Sequence, residues 1–341
     1  MKKKRNILLL ALLLGVFVLY RNVSVREGSA EGSVSVTIIP GMTVVEIGEM
    51  LESEHIVYSG KMLRRYLSWK KLDTKIQNGA VTFEAPFTIR HAANTLVTRQ
   101  SAPERTITIL PGWDLREIGE YFENEGIVSL EDWYAEVGEP LDQRANPQYD
   151  LHTVDVFAGV PGGVNLEGYI RPDTYRIFSN ASIDEIVDKL VRARADQFTP
   201  EMVEDIKAQG KTIHDILTMA SILEREVRTP EDRRIVADLF WRRDGIGMAL
   251  QADSTVHYIT GTEGSVFTSS ADRDIDSLWN TYEYPGLPPG PISSPSLDAI
   301  MATIYPKKND NWYFLTTLDT GEVKYGRTLD EHNVNVQKYL R

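Results

Sequence analysis

Thr212–Val227 reads TIHDILTMASILEREV, and its reading decides how the second half of the chain folds. At 100° per residue, Ile213, Leu217, Ala220 and Val227 fall on one face, the spacing of a buried helical stripe. Glu224 lies near the centre of that stripe, whereas Glu226 points roughly the opposite way, beside Asp215. A carboxyl in apolar surroundings resists ionisation, which suits a general acid near neutral pH. The competing reading is a helix buried on several sides, with Glu224 paired to an arginine from elsewhere in the chain.

Around this stretch the pattern is helical. Ile183–Gln197 and Pro200–Gln209 precede it, and Pro230 opens a helix running to about Arg243. The apolar residues before Gln251 read as a strand. Gly286–Pro295 is dense in proline, whose fixed φ predicts a rigid extended wall. Trp312–Thr317 and Val323–Tyr325 read as a hairpin, and Leu329–Leu340 as a closing helix. The predicted class is α+β.

The first half contains a repeat. Thr37–Val57 (TIIPGMTVVEIGEMLESEHIV) and Thr108–Val128 (TILPGWDLREIGEYFENEGIV) share 12 of 21 positions at an offset of 71. Each copy reads as strand, Pro-Gly turn and amphipathic helix. In the first copy Lys61–Leu67 and Ile89–Val97 are helical candidates and Ala80–Thr88 a strand; in the second, Leu130–Val137 is a helix followed by a loop to Asn165.

The chain of 341 residues is 42% hydrophobic and 25% charged, ordinary values for a folded protein of two or three domains. With no cysteine, disulfides, thiolate nucleophiles and cysteine-ligated metals are excluded. Lys2-Lys3-Lys4-Arg5 precedes an apolar run from Ile7 to Tyr20, about 21 Å as a helix against a hydrocarbon core of ~30 Å. That pattern predicts either a retained anchor or a cleaved signal peptide, with the basic head in the cytoplasm and the rest exported. Without those four basic residues the net charge of −12 becomes −16, which argues against nucleic acid as a partner. The six histidines show no paired metal spacing, and no Walker, GxGxxG or GxSxG pattern occurs, so no metal or cofactor is expected.

Ala220–Glu226 (ASILERE) resembles the signature of the YceG-like endolytic murein transglycosylases. Further blocks match that family in order: Leu166–Tyr175 (LEGYIRPDTY), Gly247–Val256 (GMALQADSTV), Trp279–Tyr282 (WNTY), Gly286–Ile292 (GLPPGPI) and Glu331–Asn333 (EHN). The resemblance covers roughly Val34 to Arg341. It implies a retained membrane anchor at 6–23 after a cytoplasmic basic head at 1–5, then LysM-like modules at 34–103 and 104–165. A catalytic region at 166–341 completes the chain, which would be a single-pass protein of the cytoplasmic membrane acting outside it. The modules would either grip glycan or act as spacers.

The implied reaction is cleavage of the MurNAc-GlcNAc bond inside peptidoglycan strands, leaving 1,6-anhydro ends. In the family's mechanism one glutamate, Glu224 by this matching, is first acid and then base, without water. Glu226 would be a structural neighbour. Glu167, Gln251, Asp253, Thr255, Asn280 and Tyr282 are candidate substrate-binding residues, although such side chains more often cap loops. Glu167 could equally close a strand-end ion pair. Cell-wall synthesis machinery is a partner at the family level. A muramidase or a binding-only scaffold are the alternatives. Ser254, Val227, Leu278 and Val323 depart from the family's usual Pro, Thr, Pro and His, and none of them removes the acid.

Overall fold

The computed structural model describes residues 20–39, 41–76, 78–97, 104–261 and 269–340. The expected basic head and most of the expected anchor lie outside them. Among the described residues no helix is long and apolar enough to cross a membrane. The chain forms two compact units, one of residues 1–105 with 176–182 and one of 106–175 with 183–341. The second repeat copy thus clusters with the chain that follows it.

The first unit is built from β1 (Ser33–Ile38), α1 (Val44–Ser53), α2 (Gly60–Lys70), β2 (Gly79–Glu84) and α3 (Ile89–Val97). β1 and β2 are antiparallel, in register from Ser33 opposite Glu84 to Ile38 opposite Gly79. Ile38, Ile47, Leu51, Leu63, Leu67, Phe83 and Leu96 form its core, and Val23 is buried with them. Thr43 caps α1 reciprocally with Glu46: the Thr43 amide donates to the carboxylate at 2.7 Å and the Glu46 amide to the hydroxyl at 3.3 Å.

α1 and α2 meet at two glycines. A Cβ on Gly60 would lie 2.1 Å from the Gly48 carbonyl oxygen, and one on Gly48 would lie 3.0 Å from the Gly60 oxygen. Gly60→Ala should therefore cost the first unit about 3 kcal/mol, because backbone cannot yield as a side chain does. Chemical denaturation followed on the isolated unfolding phase of this unit checks it; an unchanged midpoint would mean that the helices slide apart freely.

The second unit opens on the other repeat copy, with β3 (Glu104–Thr108), α4 (Leu115–Asn124) and α5 (Leu130–Val137). β3 pairs with β4 (Thr174–Phe178), so this copy too has strand, two helices and strand in order. Asp114 and Glu117 repeat the reciprocal cap, at 2.9 and 3.0 Å. Gly119, the counterpart of Gly48, again faces a close neighbour, here Trp133. The shared Glu and Gly of the repeat are thus a cap and a helix contact in both copies.

There follow α6 (Ile183–Ala195), α7 (Pro200–Ala208), α8 (Ile213–Glu226), α9 (Pro230–Gly245), α10 (Asp253–Thr260), α11 (Ser270–Arg273) and α12 (Leu297–Ile304). The hairpin β5 (Tyr313–Thr316) and β6 (Val323–Gly326) carries α13 (Leu329–Tyr339) against it. The whole is α+β and mainly helical. Three helices, α10, α11 and α12, and the strand β4 were not expected, and the strand expected before Gln251 is irregular chain.

α8 is the centre of this unit, packed against α7, α9, α10 and α12. Every residue from Ile216 to Leu223 is buried, so its apolar stripe widens to the full circumference. Ser221 ties it to the proline-rich wall. Its hydroxyl accepts from the Ile292 amide at 3.0 Å, and its carbonyl accepts from the Ser293 hydroxyl at 3.1 Å. Gly168, at φ +79°, lies where a Cβ would strike Pro291 at 2.6 Å, which is why LEGY and GLPPGP pack as a pair.

Candidate active site

The last turn of α8 opens into a cavity of about 850 Å³ lined by Glu224, Arg225, Glu226, Arg228, Gln251, Asp253, His257, Tyr282 and His332, among others. α8 stops at Glu226 because Val227 turns extended, at φ −140° and ψ 145°. The cleft takes in the consecutive residues 224–228, so residues on different sides of the helix end reach it. Both carboxylates line the cleft.

Their surroundings differ. Glu224 has a side chain only 7% exposed, and its Oε1 accepts from Arg233 Nη2 of α9 at 2.7 Å. Its Oε2 accepts from the Ser296 amide at 2.9 Å and from the Ser296 hydroxyl. Ser296 is itself the N-cap of α12. Glu224 thus clamps α8, α9 and the start of α12 together, the arginine-paired arrangement that was the competing reading. The expected apolar setting is not what its carboxylate has.

Glu226 is half-buried among polar and charged cleft residues, and the charge of Arg225 favours its ionised form. Burial pushes its carboxyl up to about 6, partly offset by the bonds from Ser254, while Asp253 raises it further. Its Oε1 accepts from the Ser254 amide at 3.1 Å, in the first turn of α10. No ion pair to Glu226 occurs among the described residues within salt-bridge distance.

The other expected site residues divide into two groups. Gln251, Asp253 and Tyr282 line the cleft. Gln251 is exposed and held at φ +57°, in the left-handed region that a glutamine avoids unless its surroundings impose it. The Tyr282 hydroxyl donates to Asp253 Oδ1 at 2.8 Å, and Arg273 lies 3.4 Å from the same oxygen.

Glu167, Thr255 and Asn280 are not among its lining residues, and each is buried and hydrogen-bonded within the fold. Glu167 is 1% exposed, and its Oε2 accepts from the Leu115 amide at 3.1 Å and the Tyr258 hydroxyl at 3.2 Å. Burial, then the charge of Asp114, pushes its carboxyl well above the usual range. The Asn280 amide donates to the carbonyls of Arg273 and Ile275, both at 2.8 Å. The Thr255 hydroxyl donates to the Ala252 carbonyl at 2.7 Å and sits 3.0 Å from the Thr281 hydroxyl.

These bonds explain why the QADST and WNTY blocks occur together. The Gln251 amide donates to the Thr281 carbonyl at 3.0 Å, and the Ala252 amide to the Thr281 hydroxyl at 3.1 Å. One block fixes the start of α10, and α10 presents the Ser254 amide to Glu226.

Sequence reasoning passed over His257 and His332. Each has a buried ring nitrogen without a partner, Nε2 and Nδ1 respectively, and burial lowers both below the usual histidine value. His332 stacks on Tyr313 at 5.4 Å between centroids. The EHN block was the available signal for His332; His257 had none. His214, by contrast, is a satisfied core histidine, accepting from the Tyr169 hydroxyl at 2.7 Å and donating to the Pro289 carbonyl at 2.8 Å.

The YceG-like family matches residues 36–338, nearly all of the chain. The chain belongs to the YceG-like family. It is 29% identical over 333 residues to an endolytic murein transglycosylase of Streptococcus pneumoniae, covering 92% of this chain and 60% of that relative. It is 28% identical over 328 residues to the Bacillus subtilis protein of the same name, covering 92% of this chain and 87% of that one. A YceG-like protein of Listeria monocytogenes of known crystal structure superposes with a TM-score of 0.58 at 26% identity, over 89% of this chain and 99% of that one. The chain therefore spans 60% of the length of the pneumococcal relative.

Within this YceG-like site, Ser254 offers a direct handle on Glu226. Proline at 254 has no N–H to donate and is tolerated in a first helical turn. Ser254→Pro should raise the Glu226 carboxyl further, moving the alkaline limb of kcat/KM to higher pH. Ser254→Ala keeps the amide but loses the hydroxyl, which also lowers this carboxyl, so it should move the limb the same way by less. A pH–rate series on the two variants checks this, and identical limbs would mean that the amide does not reach Glu226 in solution.

Proposed function

We propose that this chain is a peptidoglycan lytic transglycosylase that cuts glycan strands internally, with Glu226 as the acid and base. The carrying observation is that Glu226 is a desolvated carboxyl, near pH 6, facing a cleft beside Gln251, Asp253 and Tyr282. The names of the relatives supply the substrate class. Protonated Glu226 gives its proton to the glycosidic oxygen as the bond to muramic acid breaks. The resulting carboxylate then takes the proton of the sugar's C6 hydroxyl, which closes the 1,6-anhydro ring. The Ser254 amide steadies the charge that Glu226 acquires between those steps. Glu224, already committed to Arg233 and Ser296, holds the helix end that carries Glu226.

A two-carboxylate hydrolase would need a second free carboxylate in the cleft. Glu167 is buried outside it, which favours the single-residue mechanism. On the same reading, the two strand-helix-helix-strand copies act as LysM-like grips on the glycan. Residues 6–23 anchor the chain in the cytoplasmic membrane, with residues 1–5 on the cytoplasmic side and the active site outside, beside the wall-synthesis machinery.

The test is digestion of purified glycan strands with product masses. Internal 1,6-anhydromuramic ends support the reading; ends heavier by one water make the protein a muramidase. Strands that stay intact but co-sediment with the protein make it a scaffold.

A further inference from the structure

Arg225 and Arg228 both line the cleft, one at the last turn of α8 and the other just past it. Among the described residues neither guanidinium makes a hydrogen bond or a close ion pair, although the charge of Arg225 is felt by Glu226. That is not for want of carboxylates, since the chain carries 49 acidic against 37 basic residues. Elsewhere in the same unit arginines find them: Arg116 with Asp114, Arg192 with Asp188, Arg233 with Glu224, Arg242 with Asp238. Arg243, a third cleft arginine, donates only to the carbonyls of Trp312, Ala249 and Leu250, so its charge too is met by no carboxylate.

The cleft of an acidic protein is therefore locally cationic. Helix polarity accounts for a basic residue at position 225. It does not account for Arg228, which lies outside the helix and against the hairpin turn, where a Cβ on Gly321 would come 3.7 Å from its Nη1. Guanidinium forks bind carboxylates in two-pronged fashion, with direction as well as charge.

We propose that Arg225 and Arg228 form a carboxylate-binding subsite beside Glu226, which takes a carboxylate carried by the glycan strand. The proposal rests on the glycan reading above and names the part of the substrate that fixes its register. Two sources share the chemistry, the lactyl group of a muramic acid stripped of its peptide and the carboxylates of the stem peptide. Docking that anion sets one muramic acid residue against the acid and leaves uncharged chitin-like chains without an anchor.

The test titrates the full chain with three disaccharide probes that it does not cut. They are GlcNAc-MurNAc with its stem peptide, GlcNAc-MurNAc with a free lactyl carboxylate, and chitobiose, which has no carboxylate. Arg225→Gln/Arg228→Gln should weaken one carboxylate probe by about ten-fold and leave chitobiose unchanged. Arg225→Lys/Arg228→Lys should recover part of the loss. Loss confined to the peptide-bearing probe assigns the stem peptide, and loss confined to the other assigns the lactyl group. Equal affinities for all three probes in both proteins, or an equal loss on chitobiose, overturns the subsite, as does failure of both carboxylate probes to bind. Arginine-dependent binding by a protein that leaves glycan strands uncut would retain the subsite and reject the transglycosylase reading.

Discussion

Glu226→Gln is expected to abolish strand cleavage, by at least about 10³-fold in kcat, while making the protein more stable above pH 6. The first half follows from the single-residue mechanism. An amide can neither protonate the leaving oxygen nor accept the C6 proton, so both steps fail at once. The second half follows from proton linkage. The folded-state carboxyl sits at about 6 against an ordinary value of 4.5, so between those values the native state holds a proton that the unfolded chain has lost. The stability this group contributes is complete below 4.5 and is lost as pH rises through 6. Its total is about 2 kcal/mol, at 1.36 kcal/mol per unit. Glutamine carries no such burden and can still accept the Ser254 amide. The variant should match the parent near pH 4.5 and exceed it at pH 7.5, read as the difference between two denaturation series. A Glu226→Gln protein that still cuts strands would return the acid to Glu224.

Much of this was legible beforehand. The repeat, α8, the hairpin and the closing helix all follow from periodicity, which a sequence carries explicitly. The choice between two carboxylates two residues apart was not. A helical wheel assigns faces, but a cleft at the end of a helix can be reached from more than one face. Which of the two carboxylates meets an arginine depends on Arg233, nine positions on and in another helix. α10 and α12, eight residues each, are too short to show a clear period.

The polar blocks divide for a related reason. Asn280 and Thr255 have the chemistry of sugar ligands, but they spend it on backbone groups that would otherwise be buried unpaired. Their neighbours Tyr282 and Asp253 reach the cleft because the bracing holds them there.

Glu224→Gln carries the opposite signature to Glu226→Gln. Were Glu224 a lone acid on an apolar stripe, as its spacing suggests, glutamine there would leave the melting temperature equal or higher. The structure replaces the lone acid by an ion pair whose side chains are 10% and 7% exposed. Removing one charge leaves the Arg233 guanidinium buried and uncompensated, which typically costs about 3–5 kcal/mol. Arg233 keeps its bonds to the Val227 carbonyl at 3.2 Å and the Ser296 hydroxyl at 3.3 Å, which places the expected loss near 3 kcal/mol. Because Val227 directly follows Glu226, loosening this clamp should also lower cleavage, but by disordering the helix end rather than by removing the proton donor. The surviving activity should therefore keep its alkaline limb near pH 6. Replacing both partners by apolar residues of similar length, Glu224→Leu with Arg233→Met, should recover much of the stability, since a well-packed apolar pair is often no worse than a buried ion pair. Calorimetry of the two single variants and the double one gives the coupling directly. A Glu224→Gln protein that melts higher than its parent and cuts nothing would reverse the roles assigned to the two glutamates.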